Sequence, residues 1–384
     1  GFTNAQTQAI FSVGLITFAI VMILGGIWQA KSGPRIVALI GGLVLGAGYI
    51  LAGLFGTSFI SQLIFIGVIG GAGIGLGYVC PIATGVKWFP DKKGLVTGLA
   101  VAGFGFGALI WIQLAGDWGG LLSALGVLKV FLIYGIIFAV VVSIGSIWMV
   151  NPPEGWKPAG WDPSKTRVKP SSVVSSYEFK PSEMLRCPQC YALWIMFVFS
   201  AMAGLMTIGI IKLFGIDSLK ESGLTVEQAS AAAGLAMAVF YSLANGLGRI
   251  IWGVISDTIG RKISLIIMCV LQGIMMLIFF WMGKSQYLLC LGATIIGFNF
   301  GGNFALFPTA TCDLFGTKHL GRNYPWIFTA YGVGGVIGPI MAGIIRDVWK
   351  NWLAAFIICG IACIVAAVIG LTLRPPKAEA AVSK

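Results

Sequence analysis

Apolar stretches of about twenty residues recur along most of this sequence, and each is long enough to cross ~30 Å of hydrocarbon as an α-helix. The chain has 384 residues and only 10% of them are charged, whereas soluble domains are about one quarter charged. A β-barrel would need short segments of alternating polarity, which the sequence lacks. The prediction is an all-α membrane protein with eleven visible spans. We place the spans near 7–28, 35–56, 60–86, 95–116, 127–149, 189–214, 228–256, 263–283, 286–312, 324–345 and 350–373.

The loops between these spans differ in their content of basic residues. Loops on one side, which include the polar stretch 151–187, hold 18 Lys and Arg residues, and loops on the other side hold 6. Because basic loops are retained in the cytoplasm, the linker and the C-terminus are predicted to be cytoplasmic and residue 1 external. The same bias accounts for the net charge of +12. The expected partner is therefore the lipid bilayer and not nucleic acid.

Two short patterns recur at one spacing along the chain. The pattern G-x6-G at Gly26 returns at Gly253, and the pattern P-x-A-T at Pro81 returns at Pro308, in both cases 227 positions later. Internal repeats of this kind are a signature of secondary transporters, which bind their substrate near the midplane between two halves.

The repeat divides the chain into three parts. We predict an N-terminal transmembrane half at 1–150 with five visible helices, a linker at 151–187, and a C-terminal half at 188–384 with six helices. The span at 189–214 has no partner 227 positions earlier. This predicts a further N-terminal helix in the natural protein, which would precede Gly1. A protein with eleven spans is the alternative.

Cysteine, histidine and glycine give no sign of a metal or cofactor. Of the eight cysteines only Cys187 and Cys190 are close together, and the one histidine, His319, lies in a predicted loop. A lone C-x-x-C pair is weak evidence for a metal site, so we expect packing, no metal and no cofactor. The glycine clusters at 70–77 and 332–338 lack the strand that a nucleotide-binding loop follows. They indicate close helix packing.

Four stretches resemble a known transporter family. The stretch GVISDTIGRK at 253–262 resembles the loop motif G-x-x-x-D-x-x-G-R-K/R of the major facilitator superfamily. KWFPDKKG (87–94), EMLRCPQ (183–189) and FALFPT (304–309) resemble its bacterial branch of oxalate/formate antiporters and homologues of animal monocarboxylate transporters. The resemblance implies the major facilitator fold, two pseudo-symmetric six-helix halves, in a multi-pass, monomeric transporter of the cell inner membrane. In the first copy of the motif, Ala30 replaces the expected aspartate.

Arg249 is the one basic residue inside a span, about eight residues or ~12 Å from the basic end of its helix. A charge at this depth costs roughly 2.5–3.5 kcal/mol on insertion scales, so it should face a partner or a water-filled cavity. Its guanidinium is a planar fork that binds a carboxylate bidentately and stays charged. The alternative is an arginine that extends to the membrane interface or pairs with Asp257 two turns on.

The resemblance assigns further side chains to a substrate cavity. It places Arg249 on the substrate carboxylate and Tyr78 in the cavity wall. Tyr331 stands where the oxalate carriers have a lysine, which leaves one buried cation and favours a monoanion over a dianion. Asn245 lies one turn before Arg249 on the same face, where the animal transporters have an aspartate linked to proton coupling. Asparagine cannot ionise, so that step is not carried over. Helix packing is the alternative for Tyr331 and Asn245.

Other polar and aromatic residues near these positions are weaker candidates. Amide groups would contact the polar end of a substrate and rings its short apolar body, with packing as the alternative for the phenylalanines. These candidates are Asn299, Phe300, Asn303, Phe304, Phe328 and Tyr241. Asp257 and Arg261 are expected to gate the cytoplasmic side: Asp257 would cap the start of a neighbouring helix, such as the one following Arg322.

The sequence therefore predicts a secondary transporter of small monocarboxylates of the lactate or pyruvate type. Alternating access coupled to protons, as symport, is the expected mechanism, and an oxalate/formate-type exchanger is the alternative. A channel is a further alternative. Saturable uptake would distinguish a carrier from a channel. The sequence has no paired acids, nucleophile–base pair or metal ligands that would indicate an enzyme. The expected partners are a small carboxylate substrate, protons and the bilayer.

Overall fold

The computed structural model describes residues 2–116, 118–160, 174–175 and 177–376. Within this part the chain forms eleven long helices, each long and apolar enough to cross a membrane, which confirms the predicted all-α fold class and span count. They are α1 (Asn4–Ser32), α2 (Pro34–Phe55), α3 (Phe59–Trp88), α4 (Lys93–Ala115), α5 (Val127–Ser146), α6 (Pro188–Glu221), α7 (Val226–Ile259), α8 (Arg261–Met282), α9 (Gln286–Phe315), α10 (Leu320–Trp349) and α11 (Leu353–Thr372). Much of the predicted linker lies outside the described residues.

The helices pack as two groups that meet along two main seams. Helices α1, α2, α3 and α5 contact mainly one another, as do α6–α11; across the groups, α1 packs against α10, and α4 packs mainly against α7. The outer surface is apolar, with exposed side chains such as Ile20, Leu24 and Val140. An apolar exterior around a partly polar interior is the arrangement that a bilayer favours, because lipid cannot hydrogen-bond to polar groups.

Glycine residues close both seams at the same end of the bundle. A Cβ atom on Gly26 in α1 would overlap the carbonyl oxygen of Gly321 in α10, and one on Gly94 in α4 would overlap that of Gly253 in α7. These contacts are related by the repeat, since Gly253 and Gly321 lie 227 positions after Gly26 and Gly94. We call this end the linker side, because Asn323 at the start of α10 donates to the linker carbonyl of Phe179 at 2.8 Å.

The turns at the ends of the two copies of the G-x6-G pattern have the same backbone conformation. Gly33 between α1 and α2 has φ 82°, and Gly260 between α7 and α8 has φ 94°. Residues with a Cβ rarely adopt these angles, whereas glycine does so readily. The glycines that define the repeat in sequence thus form the same tight turn in both groups of helices.

Candidate functional site

Arg249 lies in the interior of the bundle, on α7 where that helix packs against α4. The residue is 1% exposed. Its Nε donates to Oδ1 of Asn245 at 3.3 Å, and its Nη1 donates to the carbonyl oxygen of Val101 in α4 at 3.0 Å. Both acceptors are neutral. Arg249 therefore neither extends to an interface nor pairs with Asp257.

Within the described part of the chain, no carboxylate lies within 4.0 Å of the Arg249 guanidinium; the four ion pairs found there involve other residues. An arginine buried away from water loses hydration that neutral hydrogen bonds replace only in part. An acidic ligand beside this guanidinium would supply the missing opposite charge.

Aromatic rings enclose this guanidinium. Its Cζ lies 3.9 Å from the ring centroid of Phe304 in α9 and 5.6 Å from that of Phe104 in α4. Rings at this range attract a cation through their negative faces. Tyr78 in α3 and Tyr331 in α10 are close enough to interact with the guanidinium electrostatically. These side chains are neutral, so they stabilise the guanidinium without cancelling its positive charge.

A chain of rings links both groups of helices around the arginine. The ring centroid of Phe18 in α1 lies 5.1 Å from that of Tyr78 and 4.9 Å from that of Phe328 in α10. The ring centroid of Tyr331 lies 5.0 Å from that of Phe328 and 5.3 Å from that of Phe304. These five side chains are buried, whereas Phe104 is 44% exposed. We define the aromatic shell as Phe18, Tyr78, Phe104, Phe304, Phe328 and Tyr331.

Phe300 and Tyr241 form an outer layer behind the aromatic shell. The ring of Phe300 packs edge-on against Phe304, with centroids 5.2 Å apart, and lies 6.2 Å from Tyr241. The Tyr241 hydroxyl donates to the carbonyl oxygen of Gly204 in α6 at 3.1 Å. This hydroxyl therefore has a backbone partner in α6, and the described contacts of both rings are ones of helix packing.

The two asparagines of α9 have different surroundings from Arg249. Asn303 accepts a hydrogen bond from Ser200 in α6 at 2.7 Å. Asn299 is 1% exposed, and neither atom of its amide has a hydrogen-bond partner within the described residues. No described contact joins either residue to Arg249. The described groups around the guanidinium thus include Asn245, the Val101 carbonyl and the aromatic shell, with Tyr324 of α10 close enough to interact with it electrostatically.

Asp257 caps a helix, but the helix differs from the one we expected. Its carboxylate accepts from the backbone N–H groups of Gly94 and Leu95, each at 2.9 Å, at the start of α4. The expectation that it caps the helix following Arg322 is wrong. The reason is the Gly94–Gly253 contact, which places the N-terminus of α4 against the end of α7.

Ion pairs extend this cap across four helices. Arg261 in α8 pairs with Asp257 at 2.6 Å and with Asp313 in α9 at 3.2 Å. Lys93 in α4 pairs with Asp313 at 3.0 Å. We call Lys93, Asp257, Arg261 and Asp313 the latch network. It joins the two groups of helices on the linker side. Arg322 is not part of it and lies at the start of α10 beside a separate cavity.

The sequence is similar to those of a known family and of known proteins. It matches the family described as the Major Facilitator Superfamily over residues 1–240 and again over 223–384. The chain belongs to the major facilitator superfamily. It is 28% identical to the oxalate:formate antiporter of Oxalobacter formigenes over 98% of this chain and 84% of that protein. It is 23% identical to monocarboxylate transporter 14 of Mus musculus over 94% and 82% of the two chains.

Solved structures of the major facilitator superfamily share its fold. The crystal structure of the Escherichia coli fucose:proton symporter FucP superposes with a TM-score of 0.64 at 16% identity, over 95% of this chain and 92% of that one. The predicted family and fold are therefore confirmed, and this chain is a multi-pass membrane transporter of that superfamily.

Several residues of this major facilitator site were not expected from the sequence. Phe18 and Phe104 sit in apolar spans, where a phenylalanine is usually a packing residue. Phe104 carries a weak signal, since it lies in the run GFGFG at 103–107, whose small residues leave room for a ring to contact another helix. Lys93 and Asp313 lie at helix ends 220 positions apart, and nothing in the sequence pairs them.

Replacing Asp257 with asparagine is expected to loosen the start of α4. Asparagine is neutral, so the variant lacks the negative charge that binds the two N–H groups and Arg261. This loss costs about 1–3 kcal/mol of local stability at a partly buried site. We expect at least about tenfold faster hydrogen–deuterium exchange of the Gly94 and Leu95 amides, measured in peptides that begin several residues before Gly94. Asp217→Asn is the matched control, because Asp217 pairs with Arg346 at 2.9 Å outside the latch network. Equal exchange in both variants would contradict the capping role.

Proposed function

We propose that this chain is a secondary transporter of small monocarboxylates, of the lactate or pyruvate type, and that Arg249 binds the substrate carboxylate. The observation that carries the proposal is a buried guanidinium whose described hydrogen-bond partners are neutral. A carboxylate supplies the missing negative charge and matches the planar fork of the guanidinium. The names of the two relatives support a carboxylate substrate.

The charge of the site favours a monoanion over a dianion. One cation inside a low-dielectric shell balances one negative charge, and a second carboxylate would be buried without a partner at considerable cost. Tyr331 and Tyr78 contribute hydroxyl groups and no further charge. In this proposal they bind the oxygen atoms of the substrate while Asn245 orients the guanidinium.

The aromatic shell sets the size limit. Phe304 and Phe328 are 1% and 0% exposed, so a substrate enters only after these rings move. Such a shell accommodates an apolar body of a few carbon atoms. Longer chains would meet Phe300 and Tyr241 behind it. Asn299 and Asn303 become accessible to a substrate in this proposal only if α9 moves relative to α6.

The seams support the proposal of alternating access. The linker side is closed by the glycine contacts and by the latch network, and the substrate site lies deeper in the bundle. We propose that the residues 1–150 and 188–384 move as two halves, that the linker side is cytoplasmic, and that breaking the latch network opens it. The protein then works as a monomer in the cell inner membrane, with its linker and C-terminus cytoplasmic.

Proton-coupled symport is the mode of transport that we propose. A proton moving with a monoanion makes the cycle electroneutral and compensates the release of an anion from a positive site. The runner-up is carboxylate exchange, which the oxalate:formate antiporter among the relatives favours.

Uptake and counterflow in proteoliposomes test the proposed function. We expect saturable lactate uptake that increases when the external pH is lowered, and counterflow of labelled lactate that oxalate does not inhibit. Uptake independent of external pH together with strict exchange would replace symport by antiport. Counterflow of oxalate with none of lactate would overturn the monocarboxylate assignment.

Substituting Tyr331 with lysine is expected to shift the preference toward dianions. It places a second cation close to Arg249 inside the aromatic shell, so the ratio of oxalate to lactate counterflow should increase at least about tenfold, the effect of about 1.4 kcal/mol. Two controls separate the added charge from other effects. Tyr331→Phe keeps the ring without charge, and Tyr287→Lys adds a lysine at a residue 78% exposed. An unchanged ratio in Tyr331→Lys would contradict charge balance as the basis of selectivity.

A further inference from the structure

A second cavity lies on the linker side, away from Arg249. It has a volume of about 250 Å³ and is formed by the end of α1, the end of α3 and the start of α10. The cationic residues Lys87, Lys318 and Arg322 line it, and none of its lining residues is acidic. Burial and the neighbouring Lys318 lower the pKa of His319, which also lines the cavity. This shift favours the neutral form of the imidazole.

The repeat shows what this cavity lacks. Asp257 caps the N–H groups of Gly94 and Leu95 at one seam. The positions 227 residues from these three are Ala30, Gly321 and Arg322. Ala30 and the start of α10 thus stand in the same relation as Asp257 and the start of α4, but alanine has no carboxylate. The positive end of α10 and three cations surround this vacant position.

Polar side chains that line this cavity have either no described hydrogen-bond partner or only a neutral one. The Gln29 side chain lines the cavity, is 7% exposed, and has no hydrogen bond to any described residue. The Nε of Arg322 is buried and also lacks an acceptor within the described chain. Lys87 has only the neutral Asn151 amide oxygen, at 3.0 Å. Glu178 does not line the cavity, and its carboxylate accepts from the Lys318 backbone N–H at 2.8 Å.

We propose that this cavity binds a phosphate group, which takes the place of the carboxylate missing at Ala30. Several N–H donors, three cations and a helix N-terminus are the features that hold phosphate in proteins. A phosphate group presents several acceptor oxygen atoms and at least one negative charge, which match these donors and cations better than chloride does. The bound group joins α1 and α3 to α10 and stabilises the closed linker side. The phosphate comes either from free inorganic phosphate or from a lipid headgroup.

Binding of radiolabelled inorganic phosphate to the purified full chain, in detergent at constant ionic strength set with chloride, tests this site. We expect saturable binding and a thermal midpoint that increases with phosphate but not with chloride. Arg322→Gln should weaken binding at least about tenfold, because it removes a charge-assisted contact. Arg35→Gln is the matched control, since Arg35 is a linker-side arginine that donates to the carbonyl of Ile147.

Ala30→Asp gives a sharper test, because the new carboxylate would occupy the site itself. It should abolish phosphate binding, whereas Ser32→Asp, which adds the same charge at an exposed position of α1, should bind phosphate as the unmodified protein does. A second arm uses phosphatidylglycerol vesicles against phosphatidylcholine vesicles. Stabilisation by phosphatidylglycerol without binding of free phosphate, lost in Ala30→Asp, assigns the phosphate to a lipid. Equal effects of chloride and phosphate, or binding that survives in Ala30→Asp, would overturn the proposal.

Discussion

Replacing Arg249 with lysine is expected to reduce saturable lactate uptake roughly tenfold to hundredfold. Lysine keeps the positive charge but loses the planar fork, and it cannot reach Asn245 and Val101 with two nitrogen atoms as the guanidinium does. Losing one hydrogen bond to a charged group costs about 1.5–3 kcal/mol, which corresponds to that range of affinity. The measurement is the initial rate of uptake in proteoliposomes over a range of lactate concentrations.

The control for Arg249→Lys is Arg346→Lys. Arg346 pairs with Asp217 at 2.9 Å and its side chain is 38% exposed, so lysine keeps an ion pair there and uptake should stay close to that of the unmodified protein. Thermal unfolding of both variants shows whether the bundle is intact. Undiminished saturable uptake in a folded Arg249→Lys variant would remove bidentate carboxylate binding from the mechanism.

The second large effect is expected from Gly26→Ala, which places a methyl group in the α1–α10 seam. A Cβ atom there overlaps the carbonyl oxygen of Gly321 and lies 3.0 Å from Cγ of Pro325. Backbone cannot move aside as a flexible side chain does, so the helices must separate. Overpacking of this kind costs about 1–3 kcal/mol. The population with a closed linker side therefore decreases about 5- to 150-fold relative to the population with an open one. Uptake should fall because the carrier rarely completes its cycle.

Spin labels on the linker side measure this shift directly. Lys31 and Lys180 are exposed and belong to opposite sides of the seam, and a Cys290→Ser background removes the one cysteine that is not fully buried within the described residues. In Gly26→Ala the label-to-label distances should lengthen. Gly77→Ala is the control, because a Cβ atom on Gly77 would have no neighbour within 4 Å. Identical distance distributions in the two variants would show that the seam tolerates the methyl group.

The spans and the buried arginine could be predicted from the sequence because each has a local physical cause. Apolar runs long enough to cross a bilayer form helices whatever their partners, and a lone charge inside such a run must be accommodated by the fold. Tyr331 and Tyr78 were identified through a family resemblance, and the structure places both beside Arg249. These predictions needed no knowledge of which helices are neighbours.

The residues that were missed depend on that knowledge. The sequence predicts that Asp257 caps a neighbouring helix, such as the one following Arg322. The helix that it caps starts at Lys93, because α7 packs on α4. The pairing of α4 with α7 becomes visible only when the glycine contacts are known in three dimensions. For the same reason the sequence did not assign Phe18 and Phe104 to the aromatic shell. Asn303 was assigned to the substrate cavity, and its described partner is Ser200 in α6.

Competition in lactate counterflow tests the central claim, that one buried guanidinium selects a single carboxylate. The competitors are pyruvate, the neutral analogue lactamide and the dianion malonate, each added to proteoliposomes with labelled lactate. The claim predicts that pyruvate competes and that lactamide and malonate compete at least about tenfold more weakly. Competition by lactamide as strong as that by pyruvate would show that the Arg249 charge does not recognise the substrate.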